Sequence, residues 1–306
     1  MSNTPLSLPN FDLVRISGAE AAQFLQGQLS CNVVKLEDTQ WVPGVYCEVN
    51  GRILSDFSLF KHEEQFYLLS QHGTGETLRS ELAKYAAFSK ADVTLISHEF
   101  TRIGFTNFDA LQQWCTSHAS LPSTMDAQNN FSPIKDGFVL RLQGQPTRYE
   151  VLIKSNSALD VDDSQQESWT LADIRAGLMH IAPEQMSQHT PQVLNYDLYG
   201  AIDFKKGCYR GQEIVARMHY KGTAKKRLFH VVFEGDIPSE GDKITLADKS
   251  IGEIVKLAHS GASTSEALAV LNSTALDLPV AELGVESQEG KTSTKVLSVR
   301  NFDYKN

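Results

Sequence analysis

Phe204-Lys205-Lys206-Gly207-Cys208-Tyr209-Arg210-Gly211-Gln212-Glu213 is the densest run of unusual residues in the chain. Two glycines bracket a cysteine, and a helix-like run from Gln212 to His219 follows. Gly207 and Gly211 allow backbone conformations and close approaches that a Cβ forbids. A cysteine just ahead of a helix N-terminus, beside Lys205, Lys206 and Arg210, stands where a thiol pKa is expected to fall. That setting marks Cys208 as a candidate redox or transfer group. Free cysteine more often acts as a small buried hydrophobe, and the residues leave both uses open.

The same run opens a basic window. From Lys205 to Arg227 there are eight basic side chains (Lys205, Lys206, Arg210, Arg217, Lys221, Lys225, Lys226, Arg227) against one acid, Glu213. The window carries +7 in a chain of net charge −9, so the remaining residues carry −16. A protein so charged is a poor general binder of nucleic acid, whose backbone asks for broad phosphate neutralisation. It is better suited to hold one anionic ligand in one place.

The chain has 306 residues, 41% of them apolar and 21% charged, which predicts two or three domains of ordinary globular composition. No run of 18 apolar residues predicts a membrane span. Met1 to Asp12 lacks a basic region ahead of an apolar stretch, so no secretory leader is expected and a cytoplasmic location is the default. The four cysteines, at 31, 47, 115 and 208, form no CxxC, and the nine histidines form no HxxxH or HExxH, so neither a disulfide framework nor a local metal site is expected.

Outward from the motif, periodicity predicts the elements. Phe11 to Ile16 reads as a strand, followed by a helix that Ser17 caps with Glu20 at capping-box spacing. Trp41 to Val49 and Arg52 to Phe60 read as strands joined at Asn50-Gly51, the signal of a type I′ hairpin. Gln65 to Ser70 is a third strand, Gly75 to Phe88 a helix, and Asp92 to Ile96 and Thr101 to Phe105 are strands. Asp109 caps a helix to His118, and Ala119 to Pro133 reads as a loop. Gly137 to Leu142 and Tyr149 to Lys154 are strands, Ala158-Leu159 fits a short helix, and Ser168 to Met179 returns to helical spacing. After Arg227, short strands with turn signals read as a small β-barrel or sandwich.

Trp169 and Phe11 are aromatic faces on which a flat heterocycle could stack, although core packing is the commoner fate of such residues. Asp56, in an otherwise apolar strand, is either a buried acid near a ligand or a solvent-facing residue, and composition favours the solvent face. It is kept as a candidate acid–base group.

Lys206-Gly207-Cys208-Tyr209-Arg210-Gly211-Gln212-Glu213 resembles the K-G-C-Y-x-G-Q-E signature of the YgfZ family, folate-binding proteins related to the mitochondrial iron–sulfur assembly factors. The resemblance extends to Phe24-Leu25-Gln26-Gly27-Gln28, Asn50-Gly51-Arg52-Ile53-Leu54-Ser55-Asp56, Tyr85-Ala86-Ala87-Phe88-Ser89-Lys90 and Pro191-Gln192 with Asn195. It implies an α+β, aminomethyltransferase-like fold: a ferredoxin-like α+β domain from residues 1–97 and 168–224, a second α+β domain from 98–167, and a C-terminal small β-barrel from 225–306. It implies tetrahydrofolate as ligand, with Phe11, Trp169, Lys205, Lys206 and Arg175 near it. The implied partners are iron–sulfur proteins or the cluster-assembly machinery, with a linked role in tRNA modification, no direct nucleic-acid binding and no membrane.

The same segment is similar to F-K-K-G-D-F-x-G-K-E in the aminomethyltransferase of glycine cleavage, with departures. Cys208 stands for the acid, Gln212 for the lysine, and Arg175 for a glutamate that can accept the pterin ring's hydrogen bonds, which an arginine cannot. The leading expectation is therefore a folate-binding accessory factor, with a folate-dependent one-carbon transferase and a non-catalytic interaction module as alternatives.

Overall fold

The structure is a computed structural model, and it describes residues 4–118, 120, 125–155, 159–222, 224–287 and 290–304. In chain order its elements are β1 (Leu6–Ser7), β2 (Phe11–Ser17), α1 (Ala21–Gln26), β3 (Trp41–Cys47), β4 (Ile53–His62), β5 (Gln65–Gln71), α2 (Gly75–Ala86), β6 (Asp92–Leu95), β7 (Phe100–Phe105), α3 (Phe108–His118), β8 (Phe131–Ile134), β9 (Gly137–Leu142), β10 (Arg148–Lys154), α4 (Gln166–Ala176), α5 (Gln212–Lys221), β11 (Lys226–Glu234), β12 (Lys243–Leu246), β13 (Lys249–His259), β14 (Thr264–Asn272), β15 (Leu283–Ser287), β16 (Gly290–Lys291) and β17 (Lys295–Arg300). They form two compact units. The first holds residues 1–164, 180–191 and 196–217, and the second holds 165–179, 192–195 and 218–306.

The first unit contains two five-stranded antiparallel sheets. One runs β3-β4-β5-β2-β6, with Val14, Ile16, Leu59 and Leu68 directed at Leu78, Leu82 and Ala86 of α2 and at Phe24 and Leu25 of α1. Period two in the strands meets period four in the helices, so one apolar layer closes between them. The other sheet runs β1-β7-β10-β9-β8, and α3 covers it with Leu111, Trp114 and Cys115. Between the sheets lie stacked rings: Phe60 on Phe131 at 4.8 Å and on Tyr67 at 5.2 Å, with Phe138 5.0 Å from Tyr67. Trp41 ties the two together at the backbone, its N–H donating to Asn130 Oδ1 at 2.8 Å and its indole N–H to the Arg141 carbonyl at 2.9 Å.

The second unit is a seven-stranded antiparallel sheet in the order β16-β15-β12-β13-β14-β11-β17, cored by Phe229, Val231, Phe233, Ile254, Ala267, Ala269 and Leu271. Helix α4 packs on β13 and β14 and ends at Gly177, whose φ of 71° makes a left-handed C-cap. Leu178 N–H returns to the Asp173 carbonyl at 2.9 Å, closing a Schellman motif.

Four local expectations are corrected. Ser17 belongs to β2, and the turn at Gly18 (φ 112°) delays α1 to Ala21, so no Ser17 capping box forms. Asn107, not Asp109, caps α3: its Oδ1 accepts the Ala110 N–H at 2.8 Å. The hairpin at residues 48–52 has one left-handed residue, Gly51 (φ 77°), so it is a type I turn with a glycine bulge, not a type I′ turn. Its Glu48 carbonyl accepts the Gly51 N–H at 2.9 Å. The segment read as a loop to Pro133 contains β8, whose two buried residues, Phe131 and Ser132, pair with β9. Ala119 and residues 121–124 of that loop, and Ala158 of the expected short helix, lie outside the described residues. No helix among the described residues is long and apolar enough to cross a membrane.

Candidate functional site

The motif sits on the β3–β4 hairpin, and a chain of buried polar contacts puts it there. Ser30 is fully closed to solvent. Its hydroxyl donates to the Ala201 carbonyl at 2.6 Å and accepts the Val45 N–H at 2.8 Å, and its own carbonyl accepts the Asp203 N–H at 3.0 Å. Asp203 then accepts from Asn32 Nδ2 at 2.8 Å and from the Lys205 N–H at 2.7 Å. The loop at residues 29–32 is thus a template on which residues 201–206 are laid.

Lys206 is buried, and its ammonium donates to the carbonyls of Leu29 at 2.6 Å and Cys31 at 2.7 Å. Desolvation pulls its pKa down to about 8, against the opposing pull of Cys31 and Asp203. The side chain expected beside the thiol or a ligand carboxylate therefore anchors the loop instead. Lys205 is exposed.

Cys208 is exposed, in irregular chain four residues ahead of the start of α5. The other three cysteines are buried, and desolvation pushes Cys31 and Cys47 up to about 12 and Cys115 up to about 11. A thiol must be accessible and able to ionise to act as a nucleophile. Of the four, Cys208 alone meets the first condition, and burial denies the others the second.

The two glycines that bracket it do different work. Gly207 is exposed, and a Cβ there would meet nothing within 4 Å. Gly211 has φ 79°, and a Cβ there would lie 2.4 Å from the Glu48 carbonyl oxygen and 3.0 Å from Cys47 Cβ. Gly51 repeats the device from the hairpin side, since its Cβ would fall 2.9 Å from Ile214 Cβ. The hairpin tip and the first turn of α5 are thereby pressed together.

Arg210 locks that junction. Its Nη1 donates to the Tyr46 hydroxyl at 2.5 Å and to Glu81 at 3.0 Å. Its guanidinium lies 5.3 Å from the Tyr46 ring centroid and 5.5 Å from that of Tyr85, within cation–π range. Burial pushes the Tyr46 phenol up to about 12, outweighing the Arg210 charge beside it. Tyr209 is buried with its hydroxyl unpartnered among the described residues, as is Gln28 Oε1. Glu48, Val49, Asn50, Arg210, Glu213 and Ile214 line an open groove of about 590 Å³.

Asp56 is buried, not solvent-facing. Its Oδ1 accepts the Ile181 N–H at 2.7 Å, and its Oδ2 lies 3.1 Å from His180 Nδ1. The contact exists because residues 187–189 hydrogen-bond to Ile53 at 2.8 and 2.9 Å, which lays the chain beyond α4 beside β4. No spacing in the sequence links 56 to 180. Phe11, on β2, and Trp169, on α4, are both buried. Arg175 makes a bidentate pair with the buried Glu266, Nη2 at 2.6 Å and Nε at 3.0 Å, and His230 Nε2 meets the same carboxylate at 2.8 Å. Burial raises the pKa of Glu266, but its bonds to Arg175 and His230 and their charges leave it lowered on balance.

Comparison with known proteins fits this geometry. The family described as CAF17, C-terminal beta-barrel domain, matches residues 225–295. The chain is 33% identical over 258 residues to the tRNA-modifying protein YgfZ of Aliivibrio fischeri strain MJ11, covering 80% of this chain and 78% of that protein. It is 30% identical over 254 residues to the tRNA-modifying protein YgfZ of Cronobacter sakazakii, covering 79% and 75%. Among solved structures, the glycine cleavage system aminomethyltransferase T from Bartonella henselae superposes with a TM-score of 0.73 at 16% identity, over 96% of this chain and 84% of that one. The fold is therefore aminomethyltransferase-like, and with relatives matched over four-fifths of its length the chain belongs to the YgfZ family.

Proposed function

We propose that this protein is a cytoplasmic, tetrahydrofolate-binding accessory factor that supports iron–sulfur enzymes, and through them tRNA modification, with Cys208 as its working thiol. The observation that carries the proposal is the contrast among the cysteines: three are buried with raised pKa values, and the fourth is exposed on the motif loop. Bound tetrahydrofolate would supply a carrier for one-carbon units. Phe11 and Trp169, each buried within its own unit, are the proposed ring contacts, and the unpartnered Tyr209 hydroxyl and Gln28 Oε1 are polar atoms that a pterin's hydrogen-bonding edge can satisfy. Lys206 and Arg175 contribute differently from the expectation. Lys206 holds the loop through two carbonyls, and Arg175 faces Glu266 rather than standing as an open donor. Lys205 remains the exposed cation for an anionic tail. The division into domains 1–97 with 168–224, 98–167 and 225–306 goes with this proposal.

One observation favours a second reading, a folate-dependent one-carbon transferase. Asp56, buried against His180, is the kind of oriented carboxylate–imidazole pair that exchanges protons with a substrate. The test is restoration of a cluster-dependent tRNA modification in cells that lack their own member of the family. The wild-type chain should restore it and Cys208→Ser should not. Equal restoration by both would remove the thiol from the function. If Asp56→Asn fails as completely as Cys208→Ser, the transferase reading gains.

A further inference from the structure

The groove at the hairpin tip, lined by Arg210 two positions along the chain from Cys208, has the form of a docking surface. Its walls are closely packed, because Gly51 and Gly211 bring the hairpin tip and α5 closer than a side chain at those positions would permit. Its apolar surface is left open: Val49 is 73% exposed and Ile214 37%. Its free charge is negative. Glu213 is exposed and makes no ion pair among the described residues. Glu48 is held by two neutral partners, Asn50 Nδ2 and Ser187 Oγ, each at 2.9 Å, and by no cation among the described residues. Arg210, the only cation in the lining, is already engaged by Glu81, which also holds Lys84. Two exposed apolar side chains beside carboxylates that no cation among the described residues engages suit a short contact with a polypeptide, and complementary charge selects the partner. Cys208 is two residues from Arg210, so their Cα atoms are at most about 7 Å apart.

We infer that the groove between the hairpin tip at residues 48–51 and the first turn of α5 docks a segment of a partner polypeptide in which basic and apolar side chains alternate, next to the Cys208 thiol. This rests on the thiol reading above. Docking raises the local concentration of the segment's own sulfur at Cys208.

The test uses two peptides of equal length, one alternating Lys with Leu and one alternating Glu with Leu. Each carries a fluorophore and a single cysteine in a mixed disulfide with thionitrobenzoate. Cys208 thiolate attacks the peptide sulfur, a new S–S bond forms, and thionitrobenzoate leaves with the electron pair of the broken bond, so its colour reports the rate. Rates are divided by the rate of each variant with neutral dithiodipyridine. The Lys peptide should react at least tenfold faster than the Glu peptide, and its rate should saturate with concentration. The double substitution Glu48→Lys, Glu213→Lys should abolish the preference, and so should Glu48→Gln with Val49→Lys, made separately in case charge reversal disturbs α5. A control with the same change in net charge, Glu37→Lys with Glu286→Lys, both exposed, should keep it.

A preference that survives in the groove variants, or is lost equally in the control, overturns the proposal. So does a concentration-dependent dimer in sedimentation that the groove variants abolish, since the occupant would then be a second copy of this chain. Anisotropy of the same peptides separates the two levels of inference. Groove-dependent binding of the Lys peptide without disulfide exchange upholds the groove and counts against the thiol function.

Discussion

Gly211→Ala and Gly207→Ala make a paired prediction, because the two motif glycines look alike in sequence and differ in structure. At Gly211 the backbone is left-handed, with φ 79°. An alanine held there costs about 1–2 kcal/mol in local sterics. Its methyl would also stand 2.4 Å from the Glu48 carbonyl oxygen and 3.0 Å from Cys47 Cβ, neither of which is the free end of a flexible side chain. Forcing a methyl into such a contact adds about 1–3 kcal/mol. The expected loss is therefore about 2–5 kcal/mol, a large part of the stability of an ordinary domain. Gly207 has no neighbour within 4 Å of its virtual Cβ and no positive φ, so Gly207→Ala should change stability by less than about 0.5 kcal/mol. Urea denaturation followed by tryptophan fluorescence reads the difference as a lower midpoint for Gly211→Ala at unchanged slope. The reasoning is refuted if the two variants lose the same amount, or if Gly211→Ala matches the wild type.

Three further outcomes follow from the same contacts. Ser30→Ala leaves the Ala201 carbonyl and the Val45 N–H without their hydroxyl partner in a fully buried site, and should cost about 2–4 kcal/mol in the same denaturation assay; a loss below about 0.5 kcal/mol would contradict the template role of residues 29–32. Lys206 has a native pKa of about 8 against 10.5 in the unfolded chain, so the unfolded chain binds more protons between those values and stability should rise with pH across that window, by up to about 3 kcal/mol relative to Lys206→Met. A stability difference between wild type and Lys206→Met that is flat from pH 7 to about pH 11 would show the ammonium is not desolvated. For Glu266, the native carboxyl is held below its ordinary range, so its contribution is present above the unfolded value and lost as pH falls through the native one. Glu266→Gln should thus cost about 1–3 kcal/mol near neutral pH and progressively less in acid, measured by thermal unfolding as a function of pH; an equal cost at all pH values would contradict the pairing with Arg175 and His230.

Much of the fold is legible in the sequence because burial sets periodicity. Leu78 and Leu82 fall on the buried face of α2, and Val14 with Ile16 alternates into the core from β2, as their spacing requires. The hairpin was legible too, but not its turn type. Asn50 uses its side chain, Oδ1 accepting from Arg52 N–H at 3.0 Å and Nδ2 donating to Glu48, and leaves the left-handed conformation to Gly51. The motif's glycines and charges raised an accessible thiol as one of two uses of Cys208, and the structure, where it is exposed, decides between them. It did not announce that Lys206 turns inward, because the carbonyls that receive it come from residues 29 and 31, far away in the chain. Asp56 shows the same limit. Its burial depends on a segment more than 120 positions distant that hydrogen-bonds along β4, and pair contacts of that kind leave no local pattern. Arg210, at the variable position of the signature, proved central to the junction only through Tyr46 of β3 and Glu81 and Tyr85 of α2, all far from it in the chain.

The decisive measurement is isothermal titration calorimetry of the whole protein with tetrahydrofolate under anaerobic conditions, with Trp169→Ala and Phe11→Ala run beside the wild type. A folate-binding factor gives saturable heat at one site per chain, weakened tenfold or more by removal of either ring. If the wild-type protein shows no binding at millimolar ligand, this chain shares the fold of its family without the ligand that the proposed function requires; if both ring variants bind as it does, Phe11 and Trp169 do not form the site.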